Sequence, residues 1–390
     1  MPPDGYAPGA RNRSAGPGEE PKQESDMTRI LTEPRAAGIA PTGRVQAAGR
    51  AIGHWLVAMC GMVIVMVLLG GITRLTDSGL SIMEWKPIMG TLPPLSEAEW
   101  ERVFALYREI AQYKHVNAGM DLAGFKAIFW WEYFHRLWGR VLAVAFAVPL
   151  LWFWFKGHLG RADLKRLVGL FLLGALQGFA GWVMVASGFQ DRVQVSQYRL
   201  LVHLMLAVAI FALMLWYALD YLDRRELGGS RQDAGTLFRH ARWMNAVIAV
   251  EIALGALVAG TDAGFIYNDF PLMNGHWLSP DLFTLSPWWI NFTENVATIQ
   301  FQHRLFSGFV AIAVISFLVR LRRRDVDRVL KLRAIALPCA LAVQAFLGIA
   351  TLMLVVPISL AVLHQLGAFV LLGSGLVLQH GLKRRLKGEA

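Results

Sequence analysis

Four of the ten histidines in the 390-residue sequence stand at matched places, and imidazole is a metal ligand. His135 lies in EYFHRLWG (Glu132 to Gly139) and His303 in QFQHRLFSG (Gln300 to Gly308), with His, Arg and Leu shared. His203 and His364 lie in later apolar stretches, each preceded by a segment with a glutamine and nearby glycines: Gln177 in LQGFAGWVMV and Gln344 in VQAFLGIATL. A structural zinc site needs four N or S ligands converging on one ion at short spacings, and no such spacing is present. One histidine facing another across two helices at similar depth is instead what axial coordination of a heme inside a helix bundle requires. The pattern predicts two bis-histidine heme sites, His135 with His203 and His303 with His364.

The two sites differ chemically. Glu132 precedes His135 by three residues and shares its helix face, whereas the residue at the same place before His303 is Gln300. A carboxylate one turn from a ligand can act as acid or base, or stabilise positive charge; its plainer reading is a solvated anion near a helix start. Arg136, Arg304 and Arg74 sit at similar depth and are candidate partners for heme propionates, although interfacial arginines also snorkel. Glu251 falls in the middle of an apolar block, where an ionisable side chain is a functional candidate by default. Its repeat counterpart is the apolar Met66, and its sequence surroundings assign it no specific role.

The elements that must hold these residues are transmembrane helices. The chain is 55% hydrophobic and only 17% charged, with mean hydropathy +0.43, which excludes an ordinary soluble or disordered protein. Eight apolar blocks, near 52–70, 137–155, 167–187, 200–219, 243–259, 303–319, 334–355 and 358–378, are long enough to cross a bilayer. Lys plus Arg number four in 156–166, five in 220–242, seven in 320–333 and four after 380, but none in 260–302. The 71–134 connection carries six, alongside eight acids. The positive-inside rule then puts both termini in the cytoplasm and the histidines toward the outer face. The net charge of +10 is explained by these clusters rather than by nucleic-acid binding.

The segment TDSGLSIMEWKPIMG (Thr76 to Gly90) after the first block resembles TDAGFIYNDFPLMNG (Thr261 to Gly275) after the fifth. Four helices therefore repeat once in parallel: 51–220 forms a first bundle, 221–242 a cytoplasmic linker and 243–380 a second bundle. Residues 1–50, rich in Gly, Pro and charge, read as a disordered tail, and 381–390 as a basic tail. In the long outer loop Ser96 and Glu99 have capping-box spacing ahead of an apolar stripe, Trp100, Val103, Phe104, Tyr107, Ile110 and Ala111. That helix is expected either to lie on the outer membrane surface or to lid a site. Gly174, Gly178, Gly181 and Gly348 offer helices room beside a flat macrocycle. Cys60 and Cys339 are far apart in apolar blocks and read as small buried side chains.

GGITRLTDSGLS (Gly70 to Ser81), EYFHRLWGR, VAGTDAGFIYNDFPLMNG and FQHRLFSG together resemble the heme A synthase family, over nearly all of residues 50–380. The outer loop lacks the cysteine pair of some bacterial members, so the likeness is to the proteobacterial and mitochondrial branch. The resemblance implies oxidation of the C8 methyl of heme O to a formyl group, through an alcohol stage, giving heme A for an aa3-type oxidase. It assigns His135 and His203 to the substrate heme, Glu132 to catalysis, and His303 and His364 to a resident heme B that relays electrons. Partners so implied are heme O, a heme O synthase, an electron donor of unnamed kind and membrane lipid, in a bacterial inner membrane. Aromatic lipid-facing surfaces leave room for a second copy of the chain.

A substrate iron with two axial histidines has no open position, so either one of His135 and His203 dissociates or reaction occurs at the heme edge. A rival reading is a diheme b-type cytochrome carrying electrons from quinol, which shares the four histidines but has no use for a carboxylate beside one heme only. A transporter built from parallel repeats is a third, and lacks the broken helices expected of it.

Overall fold

The computed structural model describes residues 43–85, 89–188, 194–223 and 227–387. The expected tail before residue 43, Pro87 of the repeated segment and the last three residues lie outside them. Among the described residues the fold is all-helical, with no β-strand. Eight helical spans are long and apolar enough to cross a membrane.

The first four are α1 (Gly43–Leu75), α4 (Leu122–Phe155), α5 (Arg161–Ala186) and α6 (Gln197–Leu222), with the short α2 (Glu97–Arg108) and α3 (Ala111–His115) between α1 and α4. The second four are α7 (Arg231–Gly260), α9 (Val296–Arg322), α11 (Ala336–Met353) with the short α10 (Arg328–Arg333) leading into it, and α12 (Ile358–Lys387). The four-residue α8 (Asn291–Glu294) precedes α9. One apolar core runs through both groups, from Leu56 and Met59 on α1 to Phe211 on α6, Met244 on α7, Phe317 on α9 and Phe369 on α12. The groups meet where α6 packs on α7 and α12.

Several boundaries differ from expectation, for local reasons. Helix α4 begins at Leu122, capped by the Asp121 side chain on the Gly124 N–H, because Lys126, Glu132 and Arg136 interrupt the apolar run without interrupting the helix. The interval between α6 and α7 is correspondingly short, and α7 starts on a Ser230 cap that accepts from the Asp233 N–H. Helix α12 carries the basic C-terminal residues as far as Lys387, so that segment is a helical end with arginines in its last turn. Cys60 is buried as expected, but Cys339 is exposed on the outside of the bundle.

Ser96 caps α2, and Glu99 reaches back to the Leu95 N–H at 2.8 Å. The apolar stripe of α2 packs on the N-terminal extension of α4: Trp100, Phe104 and Tyr107 join Phe125, Phe129 and Tyr133 in a second core. Burial of this face against α4 accounts for the amphipathic pattern.

Candidate functional site

Both copies of the repeated Thr-Asp-x-Gly segment form the same turn. Asp77 (φ 51°) and Asp262 (φ 54°) take the left-handed conformation ahead of a short 3-10 helix, one that Asp tolerates better than most residues. Arg74 links the two turns, donating from Nη2 to Asp262 Oδ1 at 2.8 Å and to the Ala259 carbonyl at 2.9 Å, and from Nη1 to Asp77 Oδ1 at 3.4 Å. Burial, opposed by Arg74 and reinforced by Asp262, holds the Asp77 carboxyl above its ordinary range.

Beneath these turns each of the four histidines lies against a glycine on a neighbouring helix. A Cβ added at Gly70 of α1 would stand 3.2 Å from His135 Nε2, and one at Gly181 of α5 would stand 3.0 Å from His203 Cε1. In the second group the distances are 3.3 Å from Gly255 of α7 to His303 Cε1 and 2.7 Å from Gly348 of α11 to His364 Cε1. A side chain at Gly348 would force the His364 ring to move, and at the other three positions it would crowd the ring. Gly174 and Gly178, by contrast, face open space, so of the glycines singled out in the sequence two bear on a histidine. His203 and His364 occupy the same register, six residues into α6 and α12 counted from Gln197 and Ile358.

The rings of His303 and His364 are 6.4 Å apart between centroids, with their planes at 86°. With metal–imidazole bonds of about 2.0 Å and ring centres about 1 Å beyond the nitrogen, two imidazoles on opposite sides of one metal have centroids about 6 Å apart. That separation leaves room for one metal ion to be shared between the two rings. His364 Nδ1 lies 3.2 Å from the Gln344 carbonyl, which orients that ring. The Nδ1 atoms of His203 and His303 are buried without an aligned hydrogen bond. His203 Nε2 is 3.2 Å from the Gln177 side-chain amide, a contact a metal-bound ring would have to surrender if it bound through that nitrogen. Among the described residues no group of three or more His, Cys, Asp or Glu gathers as a metal cluster.

Glu132 is 2% exposed, deep in α4, so it is not the solvated helix-start anion that its charge alone allowed. Its Oε2 accepts from Ser81 Oγ and from the Ile82 N–H, both at 2.8 Å, and its Oε1 accepts from Arg136 Nε at 3.0 Å and from Nη2 of the same side chain. Arg136 also donates to the Ile82 and Glu84 carbonyls. Gln300 reproduces this scaffold without the charge: its amide donates to the Ala263 and Ile266 carbonyls, and its oxygen accepts from Arg304, which also donates to the Leu272 and Tyr267 carbonyls. Position 132 or 300 therefore pins the loop after the turn in both halves, but only the first half places a carboxylate there. All three candidate propionate arginines hold protein oxygens, and Arg74 and Arg304 retain a buried Nε without a hydrogen-bond partner.

A carboxylate does occur in the second half, elsewhere. Glu251 Oε1 lies 3.1 Å from His303 Nδ1. Its proximity to His303 was hidden in the sequence, because the repeat places Glu251 on α7 but does not say which face meets α9.

Residues 53–376 match the family of cytochrome oxidase assembly proteins of the COX15-CtaA type. Relatives include the heme A synthases of Nitrosospira multiformis, 48% identical across 86% of this chain and 94% of the relative, and of Rhodospirillum centenum, 47% identical across 89% and 91%. That of Nitrosomonas eutropha is 43% identical across 83% of this chain and 92% of its own.

The chain belongs to the heme A synthase family.

In this heme A synthase family member the two turns and the four histidine–glycine pairs all fall within the matched residues, as do the duplicated helices apart from the start of α1 and the end of α12.

Proposed function

We propose that this protein is an oxidoreductase that converts heme O to heme A, with heme O held in the first half by His135 and His203 and heme B resident in the second half between His303 and His364. Membership of the heme A synthase family supports the reaction. The observation that carries the assignment of halves is the buried Glu132, matched by the neutral Gln300. Converting a methyl to a formyl group removes four electrons and two hydrogens and adds one oxygen; four protons are released if water supplies that oxygen and protons are consumed if dioxygen does, so on either route the reacting half must transfer protons. Bound in the second half, heme B supplies one-electron redox chemistry.

The residues around the substrate position hold and orient. Arg136 balances the Glu132 charge, and Ser81 and the Ile82 N–H fix its second oxygen, so the carboxylate is held at one place beside His135. A carboxylate so placed is the group of the first half able to accept or return a proton at the reacting position. The buried Nε groups of Arg74 and Arg304 suit anionic propionates, whereas Arg136 is committed to Glu132. The distribution of Lys and Arg supports cytoplasmic termini and histidines toward the periplasmic side of a bacterial inner membrane, with 51–220 and 243–380 as the two heme-binding bundles.

The test is to purify the chain from detergent, extract and separate its hemes, and repeat with Glu132→Gln. Heme B with heme O or A in the native chain, and heme B with heme O alone in the variant, is the expected result. Two hemes B per chain, indifferent to the substitution, would replace this reading with the electron-carrying cytochrome.

A further inference from the structure

Glu251 is an ionisable side chain inside a membrane span that the proposed chemistry leaves unused. It stands on α7 four residues before Gly255, so both lie on one helix face. That face meets a single ring: Gly255 leaves space for the His303 imidazole, and Glu251 Oε1 approaches its Nδ1 at 3.1 Å. The carboxylate is largely buried, with 15% of its side chain exposed, and among the described residues His303 is the one basic group within ion-pair distance. The neighbouring Arg304 is turned away, held by Gln300 and the Tyr267 and Leu272 carbonyls. The contact does not meet hydrogen-bond geometry, so Nδ1 and Oε2 are both buried without an aligned partner.

We propose that Glu251 is a positioning residue for His303: its carboxylate engages the ring at Nδ1, leaves Nε2 as the ligand nitrogen and makes that ligand more electron-donating. The proposal rests on the reading of His303 and His364 as ligands of heme B. A carboxylate behind a metal-bound imidazole fixes its tautomer and raises its basicity, and it places negative charge near the iron. Both effects favour the oxidised iron, so the reduction potential of heme B is lower with Glu251 than without it. The other ligand has only a neutral partner, the Gln344 carbonyl. In the first half the equivalent of Glu251 is Met66, whose Cε lies within van der Waals reach of a Cβ at Gly139, and His135 has no such carboxylate behind it from α1.

The experiment is a redox titration of the purified, heme-loaded protein followed at the heme B absorption band, comparing the native chain with Glu251→Gln and Glu251→Met. Heme B content per chain and melting temperature are measured alongside. The expected result is retained heme B whose oxidised-to-reduced equilibrium at fixed potential falls on the order of tenfold, an upward shift of about 59 mV for a one-electron couple. Met serves as a second variant because it packs at the equivalent position of the first half. Heme B lost from both variants at unchanged melting temperature supports the proposal too, since ligand basicity also sets iron affinity. Retained heme B with an unchanged potential overturns it while leaving the heme B site standing, and aggregation of both variants overturns it by making Glu251 a packing residue. Heme B absent from the native chain, or unaffected by His303→Ala, overturns the underlying reading and the proposal with it.

Discussion

The two halves carry the same four-helix plan but differ in how their first two helices meet. In the second half α7 packs directly along α9, and α11 along α12. In the first half α1 and α4 make little close backbone contact and are bridged by side chains. The Trp138 indole donates to the Met62 carbonyl at 2.9 Å, the Trp55 indole to the Ala145 carbonyl at 3.0 Å, and Thr73 Oγ1 to the Trp131 carbonyl at 3.3 Å. A close-packed seam suits a cofactor that stays, and a propped one suits a substrate that must enter and leave as product. Charge is divided in the same sense. The first half places its carboxylate, Glu132, beside the loop, while the second places Glu251 beside the His303 ring.

The sharpest way to break this comparison is to erase the charge difference. Glu132→Gln gives the first half the side chain of the second, and should lower heme A formation by at least about a hundredfold, with heme B content unchanged, as read by heme extraction. An active variant would remove the chemical distinction between the halves. Next in size are the ligands: His364→Ala should empty the second half of heme B while heme O binding persists, and His203→Ala should leave heme B in place. Equal loss of both hemes from either variant would mean that the halves do not load independently.

The seam is tested more gently by Trp138→Phe, which removes one hydrogen bond at a cost of about 1 kcal/mol. A small fall in melting temperature with heme B unaffected is expected. The smallest effect concerns the end of α6, where Asp223 pairs with Arg333 at 2.6 Å. Burial raises the Asp223 carboxyl, but Arg333, Arg384 and His380 outweigh it and hold it below the usual 3.8. Its contribution is thus complete above that pH and is lost as pH falls through the lower folded value. Asp223→Asn should flatten the acid side of a melting-temperature profile slightly, without altering heme content.

The eight spans, the repeat and the paired histidines were legible in the sequence because each rests on a local pattern, either a long apolar run or a motif met twice. The start of α4 was obscured by three charged residues that hydropathy penalises, although Glu132 and Arg136 are held in hydrogen bonds and Lys126 lies over the Trp100 ring; the Asp121 cap was its readable signal. Exposure of Cys339 was missed because an apolar block does not say which of its faces meets lipid. The surroundings of Glu132 and the company of Glu251 depend on which helices adjoin and in what rotation. That information lies between segments remote in sequence, and no single motif holds it.

The histidine–glycine pairs carry a warning for anyone wishing to make this protein sturdier. Replacing helical glycines with alanine is a common stabilising strategy, worth roughly 0.5–1 kcal/mol where the added methyl meets nothing. Gly169, Gly174 and Gly178 satisfy that condition. At Gly348 the same methyl would stand 2.7 Å from the His364 ring, and at Gly181 3.0 Å from that of His203. A screen that scored only thermal tolerance could therefore favour chains that withstand heating and no longer seat their hemes, so the four glycines facing histidines belong on the list of positions to leave untouched.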